Sequence, residues 1–130
     1  MATRVSKKKS LLCVLEVLKE YTDKDHILKQ SELKELVEIN YDLIIDRRTL
    51  YANIDLLIEF GYDISTFNDN KIGYYLNDRV FSERDSVVLA KAIIKDDDVH
   101  QSSKERIINQ LVAQHSRYRK KNLLKRIYAK

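Results

Sequence analysis

The sequence predicts a mainly α fold with one small β-hairpin, and three observations support this prediction. The 130 residues include two Gly, no Pro and no Trp, a composition that disfavours a β-sandwich rich in turns. Apolar residues recur at helical spacing through most of the chain, and only residues 62–76 change to a period of about two. At this length we expect one domain, or one small domain with a helical extension.

Two helices are predicted first, over residues 6–21 and 30–39, with a polar turn at residues 22–26 between them. Each places apolar side chains on one face and charged side chains on the other. The apolar set of the first helix is Leu11, Val14, Leu15, Leu18 and Tyr21, and that of the second is Leu33, Leu36, Val37 and Ile39.

A third helix is predicted from Arg47 to Phe60. Asp46 stands before it as an N-cap, because its carboxylate can accept the free N–H groups of the first turn. At 100° per residue, Ile54 and Leu57 fall on the same side as Leu50. The opposite, solvent-facing side then carries Arg48, Ala52, Asp55 and Glu59, with Arg47 and Tyr51 on its flank.

A hairpin follows, because residues 62–66 and 73–76 alternate in β fashion around a polar tip at residues 68–71. Three helices followed by a two-stranded wing is the order of a winged helix-turn-helix, in which the third helix enters the DNA major groove. We therefore expect a winged helix-turn-helix domain at residues 1–78.

Residues 79–130 are expected to form a helical extension. Ser82 with Asp85 opens a helix to about Lys95, and Ser102 with Glu105 opens another. These two helices form a hairpin too small to stand alone, so we expect them to pack on the winged domain or on a second copy of the chain. Residues 117–130 form a basic tail that is compatible with a helix, and the extension is a candidate dimerisation region.

Charge is concentrated at the two ends of the chain. Residues 1–10 and 117–130 hold 11 basic residues and no acid, so the middle keeps 13 basic against all 20 acidic residues and has a net charge of −7. This excludes a uniformly basic DNA-binding body. The ends suit phosphate groups or an acidic partner, or they serve only to keep the chain in solution.

Other classes of protein find little support. Cys13 is the lone cysteine and lies in an apolar run, which favours a buried thiol and a reducing cytoplasm. No signal peptide or membrane span is evident. The histidines lack metal-ligand spacing, so we expect no metal, no cofactor and no enzymatic activity.

Three motifs carry a family resemblance: DRRTLYANI at residues 46–54, GYDI at 61–64 and GYYL at 73–76. They resemble the N-terminal winged helix of bacterial WYL-domain transcriptional regulators, which typically read D-R-R-T-[IV]-Y-R-D-I, G-[YF]-D-I and G-G-Y-Y-L. Residues 81–89 and the helix after them resemble the helical linker of that family. The resemblance implies that residues 124–128 begin the first strand of a WYL domain, and that the sensing domain itself is lacking.

Two departures from the family pattern bear on DNA recognition. Ala52 and Asn53 stand where the family usually has Arg and Asp, so one candidate base-reading guanidinium is missing. Asp69 at the wing tip would face phosphate unfavourably. The candidate DNA-binding residues are Lys29, Ser31, Arg47, Arg48, Thr49, Tyr51, Asn53 and Lys71.

Two functions remain open at this point. The first is a sequence-specific, repressor-like transcriptional regulator that binds double-stranded DNA as a homodimer. The second is a phage or mobile-element interaction module, anti-CRISPR-like, that inhibits a host nuclease or another defence complex. The lack of a sensing domain that the resemblance implies, together with Ala52 and Asp69, motivates the second function.

Overall fold

The computed structural model describes residues 7–77 and 79–129, which are mainly helical with one small antiparallel sheet, as predicted. The chain divides into two compact units, Met1–Asp78 and Arg79–Lys130. The first contains α1 (Lys7–Tyr21), α2 (Gln30–Tyr41), α3 (Arg47–Glu59), β1 (Ile64–Ser65), α4 (Phe67–Asn70) and β2 (Tyr75–Leu76). The second contains α5 (Glu83–Lys95), α6 (Gln101–Ala113) and α7 (Arg117–Tyr128).

The first unit is built on the apolar faces of α1, α2 and α3, which meet in one core. Burial of these side chains is the main force that holds three short helices together. Thr22 links this core to the sheet, because its hydroxyl donates to the Leu18 carbonyl and accepts the Leu76 N–H at 2.9 Å. The largest fully buried side chains here are Leu18, Leu33, Leu43, Leu50 and Ile54.

The predicted hairpin is formed by β1 and β2, with Ile64 opposite Leu76 and Ser65 opposite Tyr75. Its tip differs from the expected polar loop, because residues 67–70 form one helical turn, α4. Asn70 organises this turn. Its side-chain amide donates to Ser65 Oγ and the Gly73 carbonyl, both at 2.9 Å, and its oxygen accepts the N–H groups of Ile72 and Gly73.

The second unit is a three-helix arrangement with its own core. Val87 and Ala90 of α5 meet Ile108, Leu111 and Val112 of α6. We expected the pair of helices α5 and α6 to pack on the winged domain or on a second copy of the chain, and we did not consider packing within the second unit. Helix α7 covers the pair with Leu123 and Ile127, which are both fully buried or nearly so. Homodimerisation stays a prediction.

Two further predictions for this unit are corrected. Helix α6 begins at Gln101, and His100 caps it by accepting the Ser102 N–H at 3.2 Å, so Ser102 is not the cap. Residues 124–128 belong to helix α7 and do not form the strand that the family resemblance implied. The start of α5 is confirmed, because the Ser82 hydroxyl accepts the Asp85 N–H at 3.1 Å.

None of the described helices is long and apolar enough to cross a membrane. Cys13 is 4% exposed, and burial raises the pKa of its thiol, as expected for a structural cysteine in the core. Of the basic N-terminal residues, Arg4 lies outside the described part of the chain.

Candidate nucleic-acid interface

Helix α3 is oriented as the sequence predicted. The Asp46 carboxylate accepts the Thr49 N–H at 2.7 Å and so satisfies a free donor at the first turn. Leu50, Ile54 and Leu57 are buried, so the opposite side of the helix is left to solvent. The exposed side carries Arg48, Ala52, Asp55 and Glu59.

Arg47 and Arg48 are both exposed at the front end of α3. Among the described residues, neither guanidinium forms an ion pair with the carboxylates nearby in sequence, Asp42 and Asp46. Two guanidinium groups therefore face solvent beside the N-terminal N–H groups of a 13-residue helix. This is a suitable arrangement for phosphate oxygens or guanine edges, since both accept two parallel hydrogen bonds.

A cleft of about 1030 Å³ lies next to this end of α3, between the start of α2, the second and third turns of α3, and the hairpin from β1 to β2 (residues 64–76), which is called the wing below. Four of the predicted DNA-binding residues line it, and they come from three different elements. These four are Lys29, Ser31, Tyr51 and Lys71. By helical spacing, Arg48 lies one turn before Tyr51 and Ala52, so the exposed face of α3 leads into this cleft.

A short backbone bridge fixes two sides of the cleft, the start of α2 and the wing, relative to each other. Leu28 and Tyr74 exchange two hydrogen bonds, Leu28 N to Tyr74 O at 3.0 Å and Tyr74 N to Leu28 O at 2.7 Å. Gly73 allows this approach, because a Cβ at that position would lie 2.2 Å from the Leu28 carbonyl oxygen. The wing is thereby fixed against the residues that begin α2.

Tyr51 and Tyr74 form the aromatic wall of the cleft, with ring centroids 6.5 Å apart at an angle of 41°. Tyr74 is nearly buried, and its burial, with Tyr51 and Asp55 nearby, raises the pKa of its hydroxyl. Tyr51 is 40% exposed, so it packs on Tyr74 and still presents part of its ring to solvent. This position allows Tyr51 either to serve only in packing or also to contact a ligand.

At the wing tip, the Asp69 carboxylate accepts the N–H of Thr66 at 2.8 Å and its hydroxyl at 2.9 Å. These two hydrogen bonds lower the pKa of Asp69. The carboxylate therefore caps α4, a role the sequence did not indicate. Lys71 follows in a left-handed conformation, φ 64°, and is exposed.

The start of α2 offers exposed polar groups to the same cleft. The Glu32 carboxylate accepts the Lys29 N–H at 2.8 Å, and Lys29 and Ser31 are exposed. Gln30 lies between them and also lines the cleft. Its Oε1 is buried and has no hydrogen-bond partner among the described residues. A ligand with a donor group could satisfy this oxygen.

Asn53 was predicted to contact DNA, and the structure corrects this prediction. Its side chain is 6% exposed and its amide donates to Ser10 Oγ at 3.1 Å in the core. The error came from adjacency to Tyr51 and Ala52, although Asn53 lies 300° from Leu50 on a helical wheel and so only 60° away from the buried side.

The wing carries two exposed apolar side chains that the sequence analysis did not single out, Phe67 at 50% and Ile72 at 52%. Both line the cleft. Hydrophobic periodicity could not predict their exposure, because α4 is a single turn and Ile72 follows it in an irregular segment.

The described residues include two close pairs of a hydroxyl and an imidazole, Ser86 Oγ with His115 Nε2 and Ser102 Oγ with His100 Nδ1, each 2.8 Å apart. Ser86 and His115 are buried, so that pair has no access to a substrate, and His100 with Ser102 forms the exposed N-cap of α6. Among residues 7–77 and 79–129, no three His, Cys, Asp or Glu side chains come together in a group that could hold a metal ion.

Comparison of the chain with protein-family models, with curated proteins and with solved structures gives no match.

Proposed function

We propose that this protein is a sequence-specific DNA-binding transcriptional regulator that uses α3 in the major groove, in the manner of a winged helix-turn-helix. One observation carries the proposal. The exposed guanidinium groups of Arg47 and Arg48 lie on the same helix face as a cleft that collects Lys29, Ser31 and Lys71 from two other elements. Phosphate contacts from several elements fix the register of a protein on a duplex.

Each element has a separate task in this proposal. The first turn of α3 supplies Arg47 and Arg48 for guanine edges or phosphates, and Thr49 with the free N–H groups adds phosphate contacts. The start of α2 supplies Lys29 and Ser31 for the backbone of one strand. Lys71 at the wing tip supplies a further phosphate contact.

Base discrimination is expected to be modest. Ala52 offers no hydrogen bond and Asn53 is buried, so the base-reading groups of the exposed face are reduced to Arg47, Arg48 and Tyr51. A good bidentate pair contributes about 1–3 kcal/mol of discrimination, and one such pair is absent here. We expect a short or degenerate preferred sequence.

The test is a salt titration of binding to a pool of random 30-base-pair duplexes, with wild type and the Arg47→Gln/Arg48→Gln variant. We expect the variant to bind at least about tenfold more weakly, and its slope of log affinity against log salt to fall by up to about 1.8, about 0.9 for each lost phosphate contact. Sequencing of the bound duplexes should show enriched motifs for the wild type and none for the variant.

The matched control is Lys19→Gln/Lys24→Gln, which removes the same charge from the first unit at residues that do not line the cleft. The proposal is overturned if the variant and this control bind alike, or if the wild type does not bind duplex DNA at about 50 mM salt.

A second candidate function is favoured by the exposed Phe67 and Ile72 on the wing. Apolar side chains on a rim beside polar groups are typical of protein–protein contacts, as the interaction-module hypothesis requires. Its test is capture from nuclease-treated host lysate with wild type and with Phe67→Ser/Ile72→Ser. A stoichiometric protein held only by the wild type supports this function, and unchanged capture by both counts against it.

A further inference from the structure

Helix α7 is the most strongly charged element of the described chain. Its 12 residues, RYRKKNLLKRIY, hold six basic side chains and no acid. Only Leu123 and Ile127 are buried, and both belong to the core of the second unit. Arg117, Lys121, Lys125 and Arg126 are exposed.

These cations are costly to keep together. Lys121 precedes Lys125 by four residues, and like charges at this spacing destabilise a helix. Arg119 has a carboxylate nearby, Glu83 at 3.9 Å. No ion pair joins Lys121, Lys125 or Arg126 to a carboxylate of the described residues. The repulsion between Lys121 and Lys125 is thus a local cost that no ion pair within residues 7–77 and 79–129 offsets, and such a cost is typical of a functional surface.

We propose that the exposed basic face of α7 is a second nucleic-acid surface, which contacts the phosphates of a DNA duplex without reading its sequence. Residues four apart on a helix are separated by about 6 Å along its axis. The row Arg117, Lys121 and Lys125 therefore spans about 12 Å, the length over which one strand of a duplex presents three to four phosphates at about 3.4 Å each. Tyr118 and Tyr128 are exposed on the same helix and add hydroxyl donors.

A membrane surface fits this helix less well. Helices that lie on a bilayer insert a broad apolar face between the lipids. In α7 the apolar residues Leu123 and Ile127 are already used by the core of the unit. The exposed apolar residues, Leu124 and the two tyrosines Tyr118 and Tyr128, leave too little apolar surface for insertion.

The inference rests on the proposed function only in the choice of DNA as the polyanion, and it does not involve α3. Phosphate contacts from α7 would raise affinity for all sequences equally, whereas α3 would set the preference among them.

The experiment compares the full-length wild type with Lys121→Gln/Lys125→Gln/Arg126→Gln. Binding to a non-preferred duplex is measured over a range of salt concentrations, with Tm for both proteins. We expect at least about tenfold weaker binding, a salt slope reduced by up to about 2.7, and the same enriched motifs in selection from random duplexes. Tm should be unchanged or higher, because the variant lacks three mutually repelling charges.

The matched control is Lys91→Gln/Lys95→Gln/Arg106→Gln, which removes three exposed cations from α5 and α6 of the same unit. The inference is overturned if the α7 variant and this control have the same salt slope. It is also overturned if the α7 variant binds duplex DNA as the wild type does but loses binding to vesicles of phosphatidylserine. Weak binding by the Arg47→Gln/Arg48→Gln variant tests α3 separately, so failure of either surface is identified by its own variant.

Discussion

At the scale of single residues, Asn53 and Ala52 are neighbours in sequence with opposite expected roles. Asn53 donates to Ser10 inside the core, so Asn53→Ala is expected to lower the free energy of unfolding by about 1–3 kcal/mol. Chemical denaturation measures this change. The folded variant should prefer the same DNA sequences as the wild type. An altered preference would indicate that Asn53 contacts DNA after all.

Ala52 is exposed on the face of α3 that leads into the cleft, and it replaces the Arg of the family that the sequence resembles. We expect Ala52→Arg to bind preferred duplexes more tightly and to sharpen discrimination by about 1–3 kcal/mol at one base pair. Selection from random duplexes reports this directly. Ala52→Gln is the control for side-chain length, and equal gains from both variants would argue against a guanidinium contact.

His115 makes the second unit sensitive to acid. Its burial lowers its pKa below the usual 6.5; Glu83 opposes this shift and Arg79 supports it. The folded state favours the neutral imidazole, so below pH 6.5 the unfolded state binds the proton more readily. The contribution of His115 to the free energy of unfolding is therefore complete above pH 6.5 and is lost as the pH falls below that value. Unfolding by urea should show that the free energy of unfolding falls more between pH 7.5 and pH 5.5 for the wild type than for His115→Gln. Equal losses would contradict this assignment.

At the scale of elements, the wing depends on one side chain. Asn70 makes four hydrogen bonds that close the turn from Ser65 to Gly73. Asn70→Ala removes all four, whereas Asn70→Asp keeps the oxygen that accepts the Ile72 and Gly73 N–H groups. Hydrogen exchange at these two amides should be much faster in Asn70→Ala and close to wild type in Asn70→Asp. Similar exchange in both variants would show that the amide donors decide the turn.

The long elements could be predicted from sequence and the short ones could not, for a physical reason. Helix α3 has a full apolar stripe and an N-cap at Asp46, so two independent signals agree on its start and its orientation. Helix α4 is one turn, too short for any period, and its capping partner Asp69 was interpreted as a charge facing phosphate. His100 is an uncommon N-cap, so the start of α6 was placed at the more usual Ser102.

The cleft was predictable only in its parts. Lys29, Ser31, Tyr51 and Lys71 could be chosen as separate candidates from the expected order of elements. Their convergence depends on the Leu28–Tyr74 bridge, a pair of residues 46 positions apart, and on the absence of a side chain at Gly73. Sequence periodicity reports which face of an element is buried, and it does not report which elements become neighbours.

At the scale of the whole molecule, the chain has two cores of different size. The described core of the first unit includes fifteen buried hydrophobic residues and that of the second seven. Smaller cores bury a smaller share of the surface that unfolding exposes, so the second unit is expected to have less stability in reserve. This difference can be measured with one type of substitution made once in each core.

Leu123→Ala and Leu33→Ala form this matched pair, because both side chains are fully buried at 0% exposure. Each substitution is expected to cost about 2–5 kcal/mol from lost burial and the cavity left behind. The same cost should remove a larger fraction of the stability of the second unit. Amide exchange followed by NMR should show α5, α6 and α7 unprotected in Leu123→Ala, while α1, α2 and α3 stay protected in Leu33→Ala. Loss of protection in α1 to α3 with Leu123→Ala would contradict the presence of two separate cores.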